Sequence, residues 1–428
     1  MSEFSLHFKV PDGLSEAVAR RTFYWPADGP GSFFTKLKPR FGALGPVAPL
    51  NADFARIAVM VYAADRSVVR AAGTVNWTAR DYDLTIPVSD PEAWRAVHDR
   101  LVRTLAFLSG DTWAITFTKA PIPAEPVAEN QYSSAERVVL LSGGADSAAG
   151  ALLARTLPED HVLVSHFGGN GIGRIQRLVA EAITTLRPDG SSQQHCQVRF
   201  SRMQHQPDGT KFANEPSTRT RSLLFLALGL CVASVNGVPL WIPENGFASL
   251  NPAMGADQFG SLSTRTTHPW FLSEVRDVLA DIGAEGRIEN PFAQQTKGEM
   301  FTDVAAQLGP DAASMFLSST DSCGFTNKRF WAIEKTHHCG TCFGCLLRRA
   351  SFKAAALDDR SVYAVDNPPS ADAADVLQRN SLLPSIRSYV GRGVTTADIA
   401  SIRLPTGYSP SAARELCVRG SDELRLLL

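Results

Sequence analysis

A chain of 428 residues can bury a sizeable core and is long enough for two or three domains. Its 44% hydrophobic and 20% charged residues read as globular, with no apolar run near the ~18 residues of a membrane helix. The 42 basic and 43 acidic residues nearly cancel, so no global field draws the chain onto nucleic acid; any basic groove has to be local, around Arg219, Arg221, Arg348 and Arg349. The segment from Met1 to Val10 lacks the basic start and apolar stretch of a secretory signal, so a cytoplasmic protein is expected. Seven cysteines, unevenly spread, fit a reducing compartment with a metal site better than a disulfide scaffold.

The first 130 residues alternate apolar and polar in short pieces, such as Ala55 to Ala63 and Tyr82 to Val88, and predict an α+β or mostly β domain. One clear helix is expected there, starting after Ser89 and Asp90 at Pro91 and running through Trp94, Val97, Leu101, Leu105 and Leu108. Lys119 to Glu129, rich in Pro and Ala, reads as an extended linker. Short apolar runs followed by helical patterns then predict a parallel sheet of βαβ units over residues 131–355. Strands are expected at Val138 to Leu141, His161 to Phe167, Val238 to Pro243 and Ile288 to Phe292. Helices are expected at Ala148 to Leu157, Ile172 to Leu186, Thr220 to Val235, 272–282 and Lys297 to Leu308. Residues 356–428 read as a small helical appendage.

Chemistry is concentrated in two motifs. Val138 to Leu141 runs into Ser142-Gly143-Gly144-Ala145-Asp146-Ser147 and then a helix, an order that gathers backbone N–H groups and a positive helix end around one anion. Gly143 and Gly144 let the backbone approach phosphate closely, Ser142 and Ser147 offer hydroxyls, and Asp146 can hold Mg²⁺ or orient the loop. Read as an exposed loop group, Asp146 should be removable at little cost in stability. No Lys follows, which excludes the phosphate loop of kinases and GTPases. The second motif is Cys339-Gly-Thr-Cys342-Phe-Gly-Cys345, whose two-residue spacings let thiolates converge on one Zn²⁺. Cys323 supplies a fourth sulfur, with His337 or His338 as the alternative.

These motifs carry a family resemblance. The loop is similar to the SGGxDS loop of the ATP pyrophosphatases, Rossmann-like (HUP, adenine nucleotide alpha hydrolase-like) enzymes that adenylate a substrate oxygen. Cys342 to Phe352 is similar to the CxxCxLRRxxF ending of the QueC-like 7-cyano-7-deazaguanine synthases. Thr296-Lys297-Gly298-Glu299-Met300 resembles their TKxEI segment, Asp321-Ser322-Cys323 their first zinc cysteine, and Arg221 to Phe225 their RNxLFL stretch. The resemblance spans about Arg137 to Lys353 and implies an α/β core that uses ATP, Mg²⁺ and Zn²⁺ on a 7-deazapurine carboxylate. It implies catalytic roles for Asp146, Ser147 and Lys297, and zinc ligation by Cys323, Cys339, Cys342 and Cys345. ATP would be held by Ser142, Gly143, Gly144, Asp146, Ser147, His166, Phe167 and Arg221. Glu244-Asn245-Gly246, after a strand end, is placed to read the substrate edge.

Two departures stand out. Fifteen residues separate Cys323 from Cys339, more than the family usually has. The two flanks have no counterpart in the housekeeping synthases, and a QueC-like core behind such an N-terminal domain resembles a component of a bacterial anti-phage defence system. Flanks of that size can form a docking surface of about 800 Å² for a protein partner. An RNA-modifying pyrophosphatase and a catalytically silent ATP-binding scaffold are the competing readings.

Overall fold

The computed structural model describes residues 1–11, 21–70, 79–119, 121–185, 193–215, 219–255, 265–325 and 328–428. Two sheets organise the chain, one parallel throughout and one parallel except at an edge strand. Strands β1 (Ser2–His7), β2 (Thr22–Tyr24), β4 (Asp81–Val88) and β5 (Thr112–Lys119) form a four-stranded sheet in the order β2-β1-β4-β5. The larger sheet runs β10-β9-β6-β7-β8-β3, with β6 (Arg137–Leu140), β7 (His161–Phe167), β8 (His195–Arg202), β9 (Leu240–Trp241) and β10 (Ile288–Glu289) parallel. Its edge strand β3 (Phe33–Thr35) comes from the N-terminal region and pairs antiparallel with β8, Phe33 opposite Arg202.

Strand alternation sorts the core of the larger sheet. Val138, Leu140, Val162 and Val164 face one cluster with helices α1 (Pro49–Ser67) and α6 (Arg221–Asn236). Val139, Leu141 and Leu163 face the other, with α4 (Ala145–Ala154), α5 (Asn170–Thr185), α9 (Lys297–Leu308) and α10 (Pro310–Ser318). Helices on both faces of a parallel sheet make this core an α/β, Rossmann-like fold. No helix among the described residues is long and apolar enough to cross a membrane.

The N-terminal region departs from its sequence reading. Ala55 to Ala63, expected as a short alternating piece, lies inside the 19-residue α1, opened by Pro49. Ile57 to Val61 are all fully buried, so apolar residues occupy every side and no amphipathic period survives to mark a helix. The single helix expected after Asp90 is two, α2 (Pro91–Ala96) and α3 (His98–Ser109), broken at Val97 with φ −108° and ψ 8°. The core helix expected at Ala148 to Leu157 begins three residues earlier, at Ala145, because Gly144 is its extended N-cap. The helix expected to reach Leu186 is seen to Thr185, and Leu186 lies outside the described residues. Of the segment read as a linker, Lys119 ends β5 and residues 121–129 have no regular structure, yet Glu125 accepts the backbone N–H of Arg40 at 2.9 Å, which ties it down.

Helices α7 (Gly246–Leu250), α8 (Pro269–Asp281) and α11 (Phe343–Ala354) complete the core. Behind them, α12 (Ala371–Arg379) is followed by α13 (Leu383–Arg392), α14 (Thr396–Ser401) and α15 (Pro410–Arg425). Ile386, Tyr389, Leu416 and Leu424 of this region share one buried cluster with Phe247, Leu346 and Leu347.

Candidate active site

The loop after β6 sits at the carboxyl edge of the larger sheet, where open parallel sheets bind ligands. Gly143 has φ +92°, and a Cβ there would come within 2.9 Å of Ile172 Cδ1, so glycine serves both backbone and space. The Ser142 and Ser147 hydroxyls lie 3.0 Å apart, and Ser147 Oγ donates to the Gly144 carbonyl at 2.9 Å. Gln176 braces the loop, giving Nε2 to the Ser142 carbonyl at 3.2 Å and to the His166 carbonyl at 3.0 Å. Donor hydroxyls, a positive-φ glycine and the start of α4 fit a phosphate chain.

Asp146 is not the exposed loop group of the sequence reading. Its side chain is 11% exposed and its Oδ2 accepts from Lys297 Nζ at 2.5 Å, with the Lys297 side chain 4% exposed. Asn245 Nδ2 donates to Asp146 Oδ1 at 3.1 Å and to Glu244 Oε1 at 3.3 Å. Burial, followed by the Asp146 charge, raises the Glu244 carboxyl well above the usual carboxylate range. Loop, Lys297, Glu244 and Asn245 therefore meet although as many as 151 residues separate Asp146 from Lys297.

A capping box and a distant carboxylate together hold Lys297. Thr296 and Glu299 form the box, with Thr296 N donating to Glu299 Oε2 at 2.8 Å. Glu423 of α15 accepts from the Thr296 hydroxyl and, at 3.1 Å, from Gly298 N. A Cβ on Gly298 would fall 2.4 Å from Glu423 Oε1, so this approach needs glycine. The residues read as an appendage thus cap the helix that carries Lys297, a contact no local signal announces. Replacing Glu423 with Ala strands two donors, and a loss of about 1–3 kcal/mol is expected. Thermal melts of Glu423→Ala and Glu423→Gln, with activity measured below both transitions, check this; Gln should keep most of the stability.

A cavity of about 320 Å³ opens beside the loop, lined by Ser142, Ser147, His166, Phe167, Arg221 and Glu244 among others. That is within the roughly 300–1,000 Å³ of small-molecule sites. His166 is buried and its Nε2 meets the Phe200 carbonyl at 2.9 Å. Burial lowers its pKa to about 4 against the pull of that carbonyl, and the Arg221 charge adds to the depression. The ring is neutral at physiological pH, with Nε2–H donating. Arg221 is exposed at the cavity rim.

The four cysteines converge. The Sγ atoms of Cys323, Cys339, Cys342 and Cys345 all lie within 4.8 Å of one another, and those of Cys339 and Cys345 are 3.7 Å apart. Tetrahedral Zn–S bonds of about 2.3 Å put sulfurs about 3.8 Å apart, so the cluster can bind zinc. Backbone N–H groups of Thr341 and Cys342 point at Cys339 Sγ at 3.4 and 3.3 Å, favouring the thiolate. Of the alternatives, His337 pairs with Glu334, and the buried His338 faces Asp321 with Nδ1 3.7 Å from its carboxylate. The cluster is stitched to the phosphate loop, because Ser322 Oγ accepts from Ala145 N at 3.2 Å and Asp321 N donates to the Gly143 carbonyl at 3.0 Å.

The four arginines around which the sequence allows a local basic groove do not come together in one. Arg348 is fully buried, donating to Thr320 Oγ1 at 2.8 Å and the Leu317 carbonyl at 2.7 Å. Arg349 stacks on Tyr363 and pairs with Asp366. Only Arg219 and Arg221 of the four line the cavity.

Curated relatives agree with this core. The chain is 28% identical over 241 residues to the 7-cyano-7-deazaguanine synthase of Cupriavidus necator, covering 53% of this chain and 96% of that protein. It is 28% identical over 246 residues to that of Cupriavidus taiwanensis, again 53% of this chain and 96% of the relative. With 7-cyano-7-deazaguanine synthase 1 of Sphingopyxis alaskensis it shares 30% identity over 153 residues, 34% of this chain and 57% of that one. No family model matches the chain. Distant homology over about half the chain thus supports a QueC-like family.

Proposed function

We propose that the chain activates the carboxylate of a 7-deazapurine with ATP and transfers the acyl group to an amine. The observation that carries this reading is the Asp146–Lys297 pair, bridged through Asn245 to Glu244, beside a hydroxyl-rich loop whose Ser142 and Ser147, with Glu244, line a ligand-sized cavity. Distant homology to 7-cyano-7-deazaguanine synthases supplies the substrate class.

In this reading a carboxylate oxygen attacks the α-phosphorus of ATP, and the bond to pyrophosphate breaks. The amine nitrogen then attacks the acyl carbon, loses a proton and displaces AMP as the C–N bond forms. Ser142, Ser147 and the N–H groups around Gly143 and Gly144 hold the departing pyrophosphate, and Lys297 neutralises its growing charge. Asp146 orients Lys297 and would hold Mg²⁺, while His166 and Phe167 flank the adenine and Arg221 meets an anionic group. The four cysteines would hold Zn²⁺ as a structural ion that fixes the loop through Ser322.

The acceptor is ammonia or a protein amine, and the added flanks favour the second. A core with a large N-terminal addition resembles QatC, the QueC-like component of the Qat anti-phage system, which supports a cytoplasmic role in defence. A partner docking on the flanks would present its amine, for example its N-terminus, to the activated acid. Intact mass spectrometry of a co-expressed partner is expected to show an added deazapurine mass that disappears with Asp146→Asn. Free amide, or the nitrile formed from it when a second ATP activates the amide oxygen and that oxygen leaves on AMP, beside an unmodified partner would assign ammonia as the acceptor instead.

A further inference from the structure

The N-terminal region reaches the cavity through a buried ionic network. Asp65, near the end of α1, turns one oxygen toward the start of α6: its Oδ2 accepts from Arg219 N at 2.9 Å, Thr220 N at 3.0 Å and the Thr220 hydroxyl at 2.8 Å. Its Oδ1 pairs with Arg80. Asp111, between α3 and β5, takes Arg80 at 2.8 Å and Arg70 at 2.9 Å. Arg70 and Arg80 thus occupy both carboxylates, and Asp65 grips only the backbone of Arg219. The Arg219 side chain lines the cavity and is 9% exposed as a residue, yet its Nε and Nη1 have no acceptor among the described residues. Burial and then the Arg70 charge hold its pKa down to about 10, so it stays cationic at neutral pH. Two buried guanidinium nitrogens without an acceptor are costly, and an oxyanion ligand would satisfy them with charge-assisted, two-pronged hydrogen bonds.

We propose that Arg219 is an oxyanion-binding residue of the cavity, positioned from the N-terminal region by Asp65. Its ligand is an oxygen anion held on the α6 side of the cavity, across from Ser142 and Ser147: either a phosphate of the nucleotide or the carboxylate of the acid. Only the identity of that ligand rests on the function proposed above. The N-terminal region then braces the wall of the ligand site through Asp65, without lining the cavity itself.

Calorimetric titration of the full chain tests this with two charged ligands and their neutral counterparts: ATP against adenosine, and 7-carboxy- against 7-cyano-7-deazaguanine. Arg219→Met is expected to weaken one charged ligand by about tenfold or more while its neutral counterpart changes less than about twofold. Arg219→Lys, which keeps the charge, should recover part of the loss, and the affected ligand names the source of the oxyanion. Unchanged binding of all four ligands by Arg219→Met overturns the proposal, as does an equal loss for charged and neutral ligands in both variants. If the wild type binds ATP but not the acid, the deazapurine reading falls, and Arg219 is judged on ATP against adenosine. If the wild type binds neither charged ligand, both ideas fail.

Discussion

Asp146→Asn is expected to lower acid-dependent AMP formation by on the order of 10²–10³-fold, the scale of losing one preorganised charged group. It is also expected to destabilise the protein. The carboxylate neutralises an almost fully buried ammonium, and breaking such a pair costs about 3–5 kcal/mol because one charge stays behind. The two effects separate in a double variant. Asp146→Asn with Lys297→Met removes both charges, so the melting temperature should recover toward wild type while activity stays lost. Activity near wild type in a folded Asp146→Asn protein would remove the loop from the chemistry.

What the sequence disclosed depends on how local each signal is. The strand at His161–Phe167 and the helix at Lys297–Leu308 match their expected limits, because an apolar run and a Thr296/Glu299 capping box mark them within a few residues. The cysteines are legible for the same reason: three stand at two-residue spacing. Helix α1 was misread because burial on every side erases the helical period. Glu423 and Asp65 carried no signal at all, since their roles come from partners far away in the chain, such as Thr296, 127 residues before Glu423, and Arg219 was marked only as one of four arginines around which a basic groove could form. The burial of Asp146 was missed likewise, because Lys297 and Asn245 cover it from other segments.

Loss of zinc is the second large effect expected. One Zn²⁺ per chain should be found, and its removal costs several kcal/mol because metal binding by four thiolates is folding energy. At about 2–4 °C per kcal/mol for a domain of this size, chelation should lower Tm by roughly 10 °C or more. Cys345→Ser, at a fully buried ligand position, should do the same without chelator. Activity should fall with the metal, since Ser322 and Asp321 hold Ala145 and Gly143 of the loop. Iron with visible absorbance, or a chain free of metal that melts unchanged, would contradict the assignment.

The most direct test of the central claim is exchange of labelled pyrophosphate into ATP, with and without 7-carboxy-7-deazaguanine and with no amine present. Reversible carboxylate activation at the Ser142–Ser147 loop predicts exchange that requires the acid and disappears in Asp146→Asn. Failure of the acid to induce exchange in a protein that binds both ATP and the acid would contradict it.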